Sequence, residues 1–155
     1  MSGNRRRSRE LALKLIYSMQ DQSESVDAAL SDFWGHFRFQ EDILGDPLET
    51  ADAPLSEEVR KFTEELVHGV SDHLEEIDET IMNFSTNWTL ERMARVDLSL
   101  LRLGAFELLY RPDIPVNVAI NEAVEIGKRF GTKDTPAFVN GILDKLSRSP
   151  LRTGP

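Results

Sequence analysis

Apolar residues along this chain recur at steps of three and four and nowhere alternate over the length of a strand, so the periodicity predicts an all-α protein. A first helix carries Leu11, Leu15 and Met19 on one stripe, with a cluster of arginines in its first turn or on the approach to it. A second places Val26, Ala29, Leu30, Phe33, Trp34 and Phe37 on one face. Gly45, Pro47 and Pro54 mark a polar, acidic loop, after which Ser56 precedes Glu57 and Glu58, a helix start with acids where the dipole favours them. From there Val59, Phe62, Leu66, Val70, Leu74, Ile77, Ile81 and Phe84 run as one long stripe, with Gly69 as the place for a bend. The stretch from Trp88 to Tyr110 is apolar on two sides, with Met93, Val96, Leu100, Leu103 and Gly104 on one and Leu101, Ala105 and Leu108 on the other. It is expected to be buried nearly all round and to be the hub of the fold. Pro112 and Pro115 end it, and a helix from about Asn117 to Phe130 follows, closed by Gly131 with Lys128 and Arg129 in its last turn. Thr135-Pro136 opens a final helix with Phe138, Ile142 and Leu146 at four-residue spacing. No repeat of fixed period is evident.

Charge changes this picture at one place. The 155 residues carry a net charge of -9, and residues 21–79 hold 18 acids against 3 bases, yet Arg5, Arg6, Arg7 and Arg9 fall within the first nine positions. Guanidinium groups pair bidentately with phosphate and stack on unpaired bases, which suits single-stranded RNA, while the acidic body suits a basic protein. A short basic terminus also serves as a solubilising tail. Running straight into an amphipathic helix, these arginines are expected to be held on a folded surface.

Composition excludes several classes. Forty per cent hydrophobic and 29% charged residues are ordinary for a globular domain, and 155 residues fit one domain or two small helical halves. With no cysteine there is no disulfide framework, thiolate zinc site or cysteine nucleophile, and a cytoplasmic location is expected. Lys14 interrupts the one stretch that resembles a signal-peptide core, and Arg102 and Glu107 interrupt the longest apolar run, so no membrane is expected. Glu65 and His68 give a single Glu-x-x-His where a di-iron bundle needs two and further glutamates. Gly127-Lys128 lacks the glycine and the hydroxyl of a phosphate loop, with Glu122 and Arg129 at those positions. No Gly-x-Ser-x-Gly elbow occurs and three scattered histidines offer no acid–base pair, so composition does not argue for an enzyme and no metal site is expected.

Several longer runs carry a family resemblance. They are Arg5-Arg6-Arg7-Ser8-Arg9-Glu10-Leu11-Ala12-Leu13, Trp88-Thr89-Leu90-Glu91-Arg92, and Leu101-Arg102-Leu103-Gly104-Ala105-Phe106-Glu107-Leu108-Leu109-Tyr110. Asp113-Ile114-Pro115, Val118-Ala119-Ile120-Asn121-Glu122-Ala123-Val124-Glu125 and Phe138-Val139-Asn140-Gly141-Ile142-Leu143-Asp144-Lys145 follow in order. Together they closely resemble the NusB transcription antitermination factors over nearly the whole chain, apart from the acidic stretch between about Asp21 and Ser56. The long acidic segment Gln40 to Glu58 departs from the commoner family pattern.

The resemblance implies an all-α fold of about seven helices in two small packed bundles, read here as one NusB-like RNA-binding domain over residues 1–155 with a basic arm at 1–9. It implies binding of single-stranded boxA RNA together with the ribosomal protein NusE. The complex is loaded onto RNA polymerase to protect ribosomal RNA transcripts from premature termination, without catalysis or cofactor. Position by position, Arg5, Arg6, Arg7 and Arg9 match the family's RNA-binding arm, and Lys133, Asp134 and Phe138 match the loop and helix start along the RNA. Tyr17 and Asp97 match the face that meets NusE. From the residues alone, Phe138 is equally a core contact of the last helix, Tyr17 ordinary packing and Asp97 a solvated position. Some family members self-associate through the NusE surface, which leaves a homodimer open. Two other readings compete. One is the NusB-like N-terminal domain of an rRNA cytosine methyltransferase, which needs a following catalytic domain with a cysteine, whereas this sequence stops at Pro155 and has none. The other is a protein-only interaction module.

Overall fold

The computed structural model describes residues 2–19, 25–35, 56–85 and 89–149, which form seven α-helices and one short 3-10 turn with no strand among them. In chain order the helices are α1 (Ser2–Ser18), α2 (Val26–Gly35), α3 (Glu57–Asp72), α4 (Leu74–Phe84), α5 (Arg95–Tyr110), α6 (Val116–Phe130) and α7 (Thr135–Ser147), with the 3-10 turn at Leu90–Arg92. The chain divides into two compact units, Met1–His68 and Gly69–Pro155. Phe37, Trp88 and most of the acidic segment, residues 40–55, lie outside the described residues.

In the first unit the stripe of α1 is buried as its spacing predicts, with Leu11 and Leu15 at 1% exposure and Met19 at 7%. Ala29 and Leu30 of α2 are buried and Phe33 and Trp34 half-buried. The Trp34 Nε1 donates to Glu64 of α3 at 2.9 Å, which satisfies the one polar atom of a large apolar ring. Ser56 starts α3 as its position suggests, its Oγ accepting from the Val59 N–H at 3.2 Å.

The long stripe from Val59 to Phe84 is two helices, and the break falls at His73 rather than Gly69. Gly69 has another task. A Cβ there would stand 2.1 Å from the Phe106 ring, so the missing side chain lets that aromatic lie against the Gly69 backbone. Phe106 belongs to a stack in which the His73 ring lies 3.9 Å from Tyr110, nearly parallel at 13°, and Phe106 lies 5.9 Å from Tyr110. Tyr110 donates its hydroxyl to Glu76 at 3.0 Å.

In the second unit α5 is the centre, as expected: α4, α6 and α7 all pack on it, and every residue from Leu98 to Leu108 is buried. It starts at Arg95 rather than near Trp88, because Met93 and Ala94 are extended after the 3-10 turn and Met93 is turned into the core. No glycine or proline marks that break. Gly104 admits α7, since a Cβ there would meet Leu143 at 2.6 Å. Arg102, 8% exposed, makes two bonds to Asp78 of α4 at 2.8 and 2.9 Å, a bidentate pair that satisfies a nearly buried cation.

Candidate nucleic-acid interface

Helix α1 brings the arginines together. Its residues are mostly good helix formers, and the helix begins at Ser2, so all four arginines lie on a helix and none on a flexible approach. Hydrogen bonds stitch it to α3: Ser8 Oγ donates to the Val59 carbonyl at 2.9 Å, Thr63 Oγ1 reaches the Ser8 carbonyl at 3.5 Å, and Asn4 Nδ2 donates to Glu58 at 3.3 Å. The Val59 carbonyl also accepts from Thr63 Oγ1 at 2.7 Å, and both hydroxyl-bearing residues are fully buried. This packing holds the Arg5 guanidinium 4.2 Å over the Phe62 ring, with that of Arg9 at 5.5 Å. The environments of the four then differ. Arg5, Arg6 and Arg7 are half-buried at the surface, whereas Arg9 is 3% exposed. A groove between the helices has Asn4, Arg5 and Ser8 on one wall and Lys61, Phe62 and Glu65 on the other. Lys61 is a cation beside the arm that the sequence conceals, because it lies within the acidic stretch and only helix packing sets it against α1.

The second candidate segment is the turn from α6 to α7. Lys128 and Arg129 occupy the last turn of α6, Lys128 paired to Glu125 at 2.8 Å and the Arg129 guanidinium 4.9 Å over Phe130. Lys133 and Asp134 are exposed and Phe138 is half-buried. Asp134 occupies the N-cap position of α7 in helical backbone geometry, yet its side chain makes no capping bond, contrary to the role its position suggests. The turn is held by two threonines instead. Thr135, fully buried, donates its hydroxyl to Asp97 Oδ1 at 2.7 Å and accepts from the Thr132 N–H at 3.0 Å, and the Asp134 N–H donates to Thr132 Oγ1 at 3.3 Å. Gly131 ends α6 with φ -100° and ψ -166°, an extended conformation, so it does not close the helix by left-handed geometry. It is small because a Cβ there would meet Thr135 Oγ1 at 2.4 Å.

Asp97 is therefore a hydrogen-bonded residue at the first turn of α5 rather than a merely solvated one. Tyr17 lies half-buried near the end of α1. Tyr17 falls in the first unit and Asp97 in the second, as do α1 and the α6–α7 turn respectively. His68 faces Asp27 at 3.4 Å, and among the described residues no group of three or more His, Cys, Asp or Glu side chains is gathered as for a metal ion. No helix among them is long and apolar enough to cross a membrane.

An all-helical fold with a cationic first helix on an otherwise acidic chain defines a class of small helical proteins, and known proteins narrow it. The NusB family model matches residues 6–148. The transcription antitermination protein NusB of Syntrophotalea carbinolica is 60% identical over 148 residues, covering 96% of this chain and 94% of that protein. That of Geobacter sulfurreducens is 46% identical over 145 residues, covering 94% of each. The chain belongs to the NusB family. Among solved structures, T. maritima NusB superposes with a TM-score of 0.74 at 31% identity, covering 94% of this chain and 91% of that one. A structure of the antitermination factors NusB and NusE in complex with dsRNA shares the fold, with a TM-score of 0.77 at 20% identity over 96% of this chain and 98% of that one.

Proposed function

We propose that this chain is a non-enzymatic transcription antitermination factor that binds the boxA element of ribosomal RNA transcripts as single-stranded RNA. It does so together with the ribosomal protein NusE, and the assembly is delivered to RNA polymerase. The observation that carries the reading is the arginine-bearing first half of α1, fixed against α3, in a chain whose relatives over nearly their whole length are antitermination proteins. Arg5, Arg6 and Arg7 contact phosphate. Arg9 anchors the helix through its burial, and the α6–α7 turn adds Lys133, Asp134 and Phe138. Tyr17 and Asp97 belong to surfaces that meet NusE. The methyltransferase-domain reading finds no support in these relatives, which the chain matches over 94% of their length and which carry the antitermination name.

The test is a titration of the full chain with a boxA RNA oligonucleotide, alone and with NusE. Tighter binding in the presence of NusE is expected, and weaker binding when Arg5, Arg6 and Arg7 are made alanine. Substitution serves better than removing residues 1–9, which would take half of α1 and the buried Ser8 bond to Val59 with it. RNA affinity at the level of a scrambled oligonucleotide, with NusE still captured, would instead make the chain a protein-only adaptor.

A further inference from the structure

We propose that Thr135, locked by Asp97, is the positioning residue that presents Lys133 to RNA; this rests on the reading that the α6–α7 turn borders RNA. The turn is four residues long, 131–134, and its exposed middle would be free to wander were it held only by its ends. A backbone bond from the Thr135 N–H to the Thr132 carbonyl at 3.2 Å spans it, and one buried hydroxyl adds the rest. Thr135 Oγ1 gives its proton to Asp97 Oδ1 at 2.7 Å, and its oxygen takes the Thr132 N–H at 3.0 Å. The donor direction is set by the chemistry, because an ionised carboxylate only accepts and an amide N–H only donates. Thr132 then returns its hydroxyl oxygen to the Asp134 N–H at 3.3 Å, so Lys133 is bracketed by residues tied on both sides.

The surroundings are shaped for this hydroxyl. Cβ atoms at Gly131 and Gly127 would stand 2.4 and 3.1 Å from Thr135 atoms, and Thr135 is 0% exposed. The Asp97–Thr135 bond is part-buried and charge-assisted, so the loss of either member is costly. Asp97 thereby couples the first turn of α5 to the geometry of the turn that carries Lys133.

The experiment uses the full chain with a single-stranded boxA RNA oligonucleotide and compares Thr135→Val, Thr135→Ser, Lys133→Ala and the double variant Thr135→Val with Lys133→Ala. Valine keeps the shape and removes the hydroxyl; serine keeps the hydroxyl. Thr135→Val should bind about fivefold to tenfold more weakly, the scale of one hydrogen bond's net contribution. Its log-log salt slope should be shallower by about 0.7, the loss of one phosphate contact. Exchange of the Thr132 amide, followed by NMR, should quicken by about tenfold. Thr135→Ser should restore affinity and slope, and in the double variant Thr135→Val should add less than about twofold to the loss from Lys133→Ala.

A Thr135→Val protein that exchanges Thr132 faster yet binds RNA at the wild-type level and slope overturns the inference alone. So does a loss that adds in full to that of Lys133→Ala. A wild-type chain without boxA affinity, or an unchanged slope in Lys133→Ala, overturns the reading of the turn as RNA-facing and the inference with it, while the exchange rates still report whether the lock exists. Should Thr135→Val fail to fold, Asp97→Ala removes the acceptor and leaves Thr135 in place, and the same outcomes decide.

Discussion

Tyr110 shows how one residue ties stability to pH. Burial raises its pKa above the ordinary 10.0, and the hydrogen bond to Glu76 and the charge of that carboxylate push the same way. The folded chain therefore holds this proton to higher pH than the unfolded chain does. The associated stability is complete below about pH 10 and is lost as pH rises through the raised folded value. Between about pH 9.5 and 11 the melting temperature of Tyr110→Phe should fall less steeply than that of the wild type, as scanning calorimetry across that range would show. Parallel curves would mean that Tyr110 titrates alike in both states. Asp134 gives a second residue-scale prediction. Its carboxylate makes no capping bond, so Asp134→Asn gives up only its interaction with the α7 dipole, at most about 0.5 kcal/mol at an exposed site. If the turn borders RNA, removing a negative charge near phosphate, about 1 kcal/mol in water-like dielectric, should tighten binding severalfold, less so at high salt. Weaker RNA binding at an unchanged melting temperature would show that Asp134 accepts a hydrogen bond from RNA.

Among the elements, α1 is where burial alters what sequence alone suggests. Four arginines neutralising four phosphates would contribute about 3 units to the log-log salt slope of RNA binding, at roughly 0.7 per single-strand contact. With Arg9 at 3% exposure, three guanidinium groups remain at the surface. The Arg5, Arg6, Arg7 triple alanine variant is therefore expected to flatten the slope by about 2 units. Adding Arg9→Ala should lower the melting temperature and leave the slope where it was. Binding titrations at several salt concentrations check this, and a further drop of about 0.7 on losing Arg9 would show that Arg9 turns outward to meet RNA. The long α3–α4 stripe carries the complementary lesson. Its apolar period runs unbroken across His73, where the backbone leaves helical geometry at φ -115° and ψ 20° and the ring stacks with Tyr110 and Phe106.

At the scale of the whole molecule, burial is concentrated on α5. It has no exposed face between Leu98 and Leu108, and three helices of its own unit pack on it. Its amides should open only with global unfolding, so native-state hydrogen exchange is expected to be slowest there and faster in α2, where Ala29 and Leu30 are the buried residues. Slowest exchange in α2 would contradict that ordering. The charge asymmetry also acts at this scale: a net charge of -9 repels RNA at long range. Affinity should therefore depend on a local cationic face rather than on general attraction.

Helix identity, the α5 hub, the family and the candidate arm were all legible along the chain, because period, proline and glycine placement and charge are properties of neighbours in sequence. So was the end of α6, although Gly131 is there to make room for Thr135 and not to supply a left-handed turn. What no local pattern carries is the choice among side chains that look alike. Arg9 reads like Arg7, Thr135 like any helix-start threonine, and Asp97 like an acid in a first turn. Tertiary packing alone buried Arg9 beside Phe62, gave the Thr135 hydroxyl to Asp97 and left the Asp134 carboxylate without a cap. The reason is physical: a partner 38 positions away in sequence, such as Asp97 for Thr135, leaves no period in the chain, and the energy of a polar group depends on whether that partner arrives when water is excluded.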